Sequence, residues 1–230
     1  MAVILVATRN PLNIGAAARA MANFGVTDLR VVNPYEAAFR EAVSAVGGAH
    51  VLQTARVFNS VADAVADCSL VVGTTAAQRR DLKQPVDLLA AAAPAIRAHA
   101  GRAGLLFGSE KFGLSNEDMS FCHSLIRIPT GQGTPSMNLG QAVAVCLYEL
   151  VGRGDAQPKL HVHDPVTGAE AENLTQMLLE VLDRSGYTNR ITSTSTEQKI
   201  RRWIRRTHPS RRDAKLMLGI LRQLLWKLRD

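Results

Sequence analysis

The stretch "AVILVATRNPLNIGAAARAMANFGVTDLRVVNP" (residues 2–34) decides the architecture. It opens on an apolar, partly β-branched run, "AVILVAT" (2–8), crosses a polar turn and enters a helical pattern at 15–24. A second apolar run, "DLRVVNP" (28–34), follows. Runs that are apolar on both faces suit strands buried on both sides, as in a parallel sheet. A helix between two such strands is the crossover that a parallel pair requires. Within that helix Arg19 is a long, permanently charged side chain set among small residues that suit close packing.

The alternation continues to residue 150. Further strands are predicted at 55–59, 69–75, 103–108 and 124–130, and further helices at 36–45, 60–66, 86–99, 115–121 and 139–150. Pro94 predicts a kink or a restart within helix 86–99. This order predicts an α/β fold, a mainly parallel sheet with helices on both faces. Residues 152–168, "GRGDAQPKLHVHDPVTG", mix glycine, proline and charge and read as a linker. Beyond it 170–187, 194–208 and 210–230 read as three helices of a small all-α domain, with Ser210 and Asp213 at capping-box spacing. The predicted division is 1–151, 152–168 and 169–230.

Composition narrows the class. No apolar run reaches the ~18 residues of a membrane-spanning helix. The N-terminal apolar run lacks a basic segment before it and is too short for a signal peptide. The three cysteines, Cys68, Cys122 and Cys146, are far apart and have no metal-like spacing, as expected of free thiols in a reducing cytoplasm. Residues 151–230 carry fifteen Lys and Arg against nine Asp and Glu, whereas residues 1–150 are nearly balanced. "KIRRWIRRTHPSRRDAK" (199–215) alone holds eight basic residues and one acidic. Such clustering points to a polyanion partner, nucleic acid above all; the bland alternative is a solvated basic face.

Ligands of open α/β sheets bind beyond the C-terminal ends of the strands. The segments there are "TRNPLNIGAAAR" (8–19), "GTTAAQRR" (73–80), "GSEKFGLSN" (108–116) and "PTGQGTPSMNLGQA" (129–142), all rich in Gly, Ser, Thr and Asn. Neither G-x-G-x-x-G nor a P-loop occurs, so a dehydrogenase reading fails on the missing fingerprint. Ser109 lacks the nucleophile-elbow pattern. His161 and His163 lie in the linker without nearby cysteines, and no metal is expected.

"NPLNIGAAARAMANFG" (10–25), "LLFGSEKFGLSNEDM" (105–119) and "IRIPTGQGTPSMNLGQAVAVCLYEL" (126–150) resemble, in order and spacing, the three motifs of the SpoU/TrmH-type RNA 2′-O-ribose methyltransferases of the SPOUT superfamily. The linker and the basic helical tail, with "IRRWIRR" and "SRRDAKLMLGILRQL", are similar to those of the TrmJ-type branch. The resemblance implies a trefoil knot at the end of the sheet, which nothing in the periodicity predicts and which chains generally avoid. It implies S-adenosylmethionine as methyl donor and no metal. Its substrate would be tRNA, methylated at the first nucleotide on the 5′ side of the anticodon loop, cytidine or uridine.

By the same resemblance Arg19 and Asn13 match the first motif, Glu110 the second, and Ser136 and Asn138 the third, with Met137 in place of a common leucine. A guanidinium keeps its proton, so the chemically sound role for Arg19 is to orient the ribose and phosphate and stabilise negative charge. A Glu110 carboxylate would anchor neighbouring loops by accepting main-chain N–H bonds, or else help to position substrate; the bland alternative is a loop or helix-capping carboxylate. Ser136 and Asn138 also suit a helix N-cap. The cofactor pocket would draw on Thr74, Thr75, Ala76, Gly108, Ile128, Pro129, Ser136, Met137 and Asn138. The catalytic part would form a homodimer through 139–151. Lys199, Arg201, Arg202, Arg205, Arg206, Arg211 and Arg212 would hold tRNA phosphates, which position a substrate without reading its sequence. Trp203 would either stack on a base or fill the small core. Methylation of rRNA or another tRNA site, and a catalytically silent RNA-binding protein, are the competing readings.

Overall fold

Successive residues of the first strand, β1 (Ala2–Val6), feed two different cores. Val3 and Leu5 lie in one apolar cluster, Ala2, Ile4 and Val6 in another, and all five are buried. A strand alternates its side chains between faces, so this pattern requires a layer of structure on each side. The computed structural model describes residues 1–35, 48–76, 84–131, 133–134, 136–152, 164–188 and 193–228.

After β1 come α1 (Pro11–Asn23), β2 (Asp28–Val32), α2 (Ala49–Gln53), β3 (Arg56–Phe58), α3 (Val61–Ala64) and β4 (Leu70–Thr74). Then follow β5 (Val86–Leu88), α4 (Leu89–Ala98), β6 (Ala103–Phe107), α5 (Asn116–Ser120), β7 (Ser124–Arg127) and α6 (Leu139–Leu147), which runs on into a π-helical turn at Tyr148–Gly152. The strands form a seven-stranded sheet in the order β3-β2-β1-β6-β4-β7-β5, and every pairing is parallel. The α/β architecture read from the sequence is thus present.

Several boundaries differ from the expected ones. Residues 86–88 were expected to begin a helix, yet they form the edge strand β5, paired with β7. Leu125 donates to the carbonyl of Pro85 at 2.9 Å, which draws this segment onto the sheet before the helix starts. Helix α4 then passes through Pro94 without a restart. The first helix begins at Pro11, four residues early, because proline suits the first helical turn and Asn10 accepts from the Leu12 N–H at 3.0 Å. The short helix α2 carried no recognised signal. Helix 36–45 lies outside the described residues, as does most of the expected linker, including His161 and His163.

Beyond residue 164 the described chain forms α7 (Gly168–Arg184), α8 (Ser193–Thr207) and α9 (Arg211–Lys227). Their facing residues Leu174, Val181, Ile204, Ala214 and Leu221 make a third apolar cluster. Capping boxes start α7, from Thr167 and Glu170, and α9, from Ser210 and Asp213. These helices also dock on the sheet-bearing part: Ala169 donates to the Ala66 carbonyl at 2.7 Å. Among the described residues no helix is long and apolar enough to cross a membrane. Cys68, Cys122 and Cys146 are buried free thiols.

Candidate active site

The small residues of α1 have a packing reason. Ala17, Ala18 and Ala20 are buried, and a Cβ placed on Gly140 of α6 would stand 2.5 Å from the Ala16 Cβ. The two helices therefore meet at nearly main-chain distance, and this brings the starts of α1 and α6 together. The segments that follow β4, β6 and β7 gather at the same place around a cavity of about 450 Å³.

Asn13, Glu110, Ser136 and Asn138 all line that cavity, with Thr74, Thr75, Ala76, Gly108, Ile128 and Met137. Three of them form a relay. Glu110 accepts from Asn13 Nδ2 at 2.9 Å and from the main-chain N–H groups of Asn10 and Arg9 at 3.3 and 3.4 Å. Asn138 Nδ2 donates to Asn13 Oδ1 at 2.8 Å, while Asn138 Oδ1 accepts from Gly140 N at 2.9 Å and Gln141 N at 3.4 Å. Asn138 thus caps α6 and fixes the Asn13 amide, whose other end holds the carboxylate. Burial opposes charge on Glu110, but the bonds from Asn13 and the main chain outweigh it and keep the carboxyl below the usual glutamate range.

Gly108 is required sterically. The chain doubles back after β6, so a Cβ there would lie 2.0 Å from the Gly113 carbonyl carbon and 2.1 Å from Leu114 N. Gly113 donates to Ser109 O at 2.8 Å and adopts φ +67°, which closes the loop. On the neighbouring strand Thr74 Oγ1 donates to the Leu106 carbonyl at 3.0 Å.

Two expected site residues lie apart from this cavity. Pro129 is absent from its lining. Arg19 is exposed, six residues along α1 from Asn13, which rotates it roughly 240° around the helix axis. It shares an outward face with Leu12, Ala16 and Asn23 instead. Conversely, Phe107, Lys111, Phe112, Leu114, Met119 and Ile126 line the cavity without having been singled out. The strand-end rule was a sufficient signal for them, since they sit in or beside the quoted segments.

The basic helix α8 divides into two faces. Arg201 and Arg205, expected to hold phosphates, are buried at 5% and 1% exposure. Arg201 forms a two-pronged pair with Glu172 at 2.9 and 3.0 Å, reaches Ser120 Oγ at 3.3 Å and covers the Phe121 ring at 4.3 Å. Arg205 donates to the Gly168 carbonyl at 3.1 Å, and burial lowers its basicity. These two guanidiniums face inward because α8 packs on α5 and α7 along that stripe. Lys199, Arg206 and Trp203 are exposed and Arg202 half-buried on the opposite face, so Trp203, at 43% exposure, stands outside the small core. Arg212 is exposed, and Arg211 pairs with Glu170 at 3.0 Å and Asp164 at 2.9 Å.

Among the described residues no cluster of His, Cys, Asp and Glu is arranged to hold a metal. Comparison with known proteins matches residues 1–148 to the SpoU rRNA Methylase family. The tRNA (cytidine/uridine-2′-O-)-methyltransferase TrmJ of Sodalis glossinidius is 31% identical over 227 residues, covering 95% of this chain and 89% of that protein. An uncharacterized tRNA/rRNA methyltransferase of Haemophilus influenzae is 36% identical over 148 residues, 64% of this chain and 61% of its own length. The crystal structure of TrmJ from Z. mobilis ZM4 superposes with a TM-score of 0.85 at 34% identity, covering 97% of this chain and 98% of that one. With residues of all three motif segments, Asn13, Glu110, Ser136 and Asn138, drawn into one cavity on a parallel sheet, the chain belongs to the SpoU rRNA Methylase family.

Proposed function

We propose that the protein is an S-adenosylmethionine-dependent tRNA 2′-O-ribose methyltransferase acting on the first nucleotide of the anticodon loop. The observation that carries this reading is the Glu110–Asn13–Asn138 relay, which joins all three motif segments at the mouth of one cavity. The tRNA-modifying names of relatives similar over most of the chain support the substrate class.

The cavity residues fit the donor. Phe107, Leu114 and Ile126 supply buried apolar walls for an adenosine, and the main chain around Gly108 allows the close approach such a group needs. When bound, S-adenosylmethionine supplies an electrophilic methyl group on a sulfonium. Thr74–Ala76, Gly108, Ile128 and Ser136–Asn138 would hold it. The relay keeps the loops after β1, β6 and β7 in register, so alignment of ribose and donor costs little at the moment of reaction. Arg19 orients the target ribose and phosphate from the α1 surface. Since it lies on an outward face beside Leu12 at 75% exposure, it serves a site completed by a second copy docked on α1 and α6. Tyr148 and Val151, at 54% and 41% exposure, extend that face. The knot reading rests on the motif resemblance and is supported by the segment after β7, which lines the same cavity as the 108–114 loop and bonds to Asn13 through Asn138 before α6 packs on α1. The stripe of Lys199, Arg202, Trp203 and Arg206 on α8 holds the tRNA body. A cytoplasmic location follows from that substrate.

The test is methyl transfer from labelled donor to bulk tRNA, followed by nuclease digestion and mass spectrometry of the product. A 2′-O-methyl pyrimidine at the start of the anticodon loop is expected. Labelling of rRNA alone would instead favour the second reading, which the family's rRNA description supports. No labelling of either would leave an RNA-binding protein without activity.

A further inference from the structure

The loop after β6 does more than close the cavity. Its tip, Lys111 and Phe112, stands between a bonded pair of ends: Ser109 and Gly113 form an antiparallel bridge, and Phe112 N donates to Ser109 Oγ at 3.4 Å. Below the tip Leu114 is buried at 2% exposure, and Glu110 is tied to the start of α1. The mount is therefore rigid, while Phe112 at its tip is 64% exposed and borders the cavity. Lys111 places its ammonium 5.1 Å from the centre of that ring. A largely exposed aromatic ring held out on a rigid turn, with a cation over one face, can take an unstacked base on its other face and the phosphate on the cation.

We infer that Phe112 is the stacking platform for the base of the target nucleotide, with Lys111 on that nucleotide's phosphate. This rests on the methyltransferase reading. In that reading the cavity holds the donor and the ribose must lie at its mouth, so the attached base projects over the rim where Phe112 stands. Every base has a π-face. A platform of this kind accepts cytidine and uridine alike and leaves any finer choice to other groups.

The experiment compares wild type with Phe112→Ala, Phe112→Trp and Lys111→Ala, using bulk tRNA and S-adenosylmethionine as probes. The readouts are tRNA Kd by filter binding, donor Kd by calorimetry, KM and kcat for methyl transfer, sedimentation state and Tm. Phe112→Ala is expected to raise tRNA Kd and KM on the order of 10-fold or more. Donor Kd, sedimentation state and Tm should not move, and Phe112→Trp should restore binding. Lys111→Ala should weaken tRNA binding and reduce its salt dependence by roughly one released counterion. Unchanged tRNA affinity in Phe112→Ala overturns the inference. So does an equal loss of donor affinity, which would make the ring a cofactor wall, or a change in oligomeric state, which would make it an interface residue. If wild type binds tRNA but methylates nothing, the enzymatic reading fails, and the Kd comparison still decides whether Phe112 stacks on RNA.

Discussion

Asn138 holds Asn13 by a 2.8 Å bond between side-chain amides 125 residues apart in the chain. Asn13 has its Nδ2 on Glu110 and its Oδ1 on Asn138, so it is the shared member of two contacts. Removing it leaves the Glu110 carboxylate and the Asn138 amide each without that partner; both residues are exposed, so each lost bond costs only about 0.5–1.5 kcal/mol. Asn13→Ala is expected to lower kcat on the order of 100-fold, since a misplacement of about 1 Å is enough for that. Tm should fall only by several degrees. Steady-state methyl transfer beside a thermal melt checks both; wild-type kcat would show the relay to be incidental.

Gly108→Ala tests the cradle. The added methyl has main chain 2.0 and 2.1 Å away, not a side-chain tip that can swing clear. The 108–114 loop must open, and donor affinity should fall by at least about 10-fold, the loss expected when a walled pocket loses its fit. Calorimetry with S-adenosylmethionine reads this directly, and full retention of affinity would remove Gly108 from the pocket.

Arg19 and the relay predict different signatures. Arg19 is exposed, so Arg19→Ala should leave Tm and donor affinity unchanged while methyl transfer drops on the order of 100-fold or more. Arg19→Lys keeps the charge but loses the planar fork and should recover little. Recovery to near wild type with lysine would reduce the role to a point charge.

The two faces of α8 separate folding from binding. Arg202→Ala with Arg206→Ala should weaken tRNA binding, lower its salt dependence and spare Tm. Arg201→Ala removes the two-pronged pair and leaves Glu172 with the Gln176 amide at 2.9 Å, at a cost of about 1.5–3 kcal/mol, or roughly 5–10 °C in Tm. Similar effects of both substitutions on Tm would erase the distinction.

Acid should loosen the seam between the sheet and the last helices. His123 is buried there, accepts from Val71 N at 3.0 Å through Nδ1, and stacks on His208 at 5.1 Å. Burial, with Arg205, His208 and His99 acting the same way, holds its pKa well below the ordinary value; burial also lowers His99 and His208. Ser69 meets His99 at 2.8 Å. A depressed histidine is neutral in the fold and takes up protons more readily in the unfolded chain. Its contribution is therefore complete above about pH 6.5 and is lost as pH falls toward the folded value. Tm should decline between about pH 6.5 and 5.5. His123→Asn, which keeps an acceptor for Val71, should flatten that decline. An unchanged slope would assign it to other groups.

Much of this was legible because the signals were local. Apolar strands, the Ser210–Asp213 box and the polar segments at strand ends each announce themselves within a few residues, whereas the Asn10 cap and the early start of α1 show only in the structure. What was missed depended on distant partners. Val86–Leu88 runs into an alanine-rich helix in sequence, and only β7 makes it a strand. The basic tail revealed its charge but not its inner face, because Glu172 lies 29 residues from Arg201. The 3.6-residue period already separates 201 and 205 from 199, 202, 203 and 206; which stripe faces inward is set by α5 and α7. Phe112 gives no local signal, because its place at the exposed tip depends on the bridge between Ser109 and Gly113.

The strand order has a consequence for how the chain is made. β6 lies between β1 and β4, yet it is synthesised after both. From the moment β4 leaves the ribosome until residue 107 follows, β1 and β4 each present an unpaired, largely apolar edge that β6 later covers. Such edges attract foreign strands. The vulnerable interval in this protein's life thus falls midway through translation, and it ends when Ala103–Phe107 slides in and joins the two halves of the sheet.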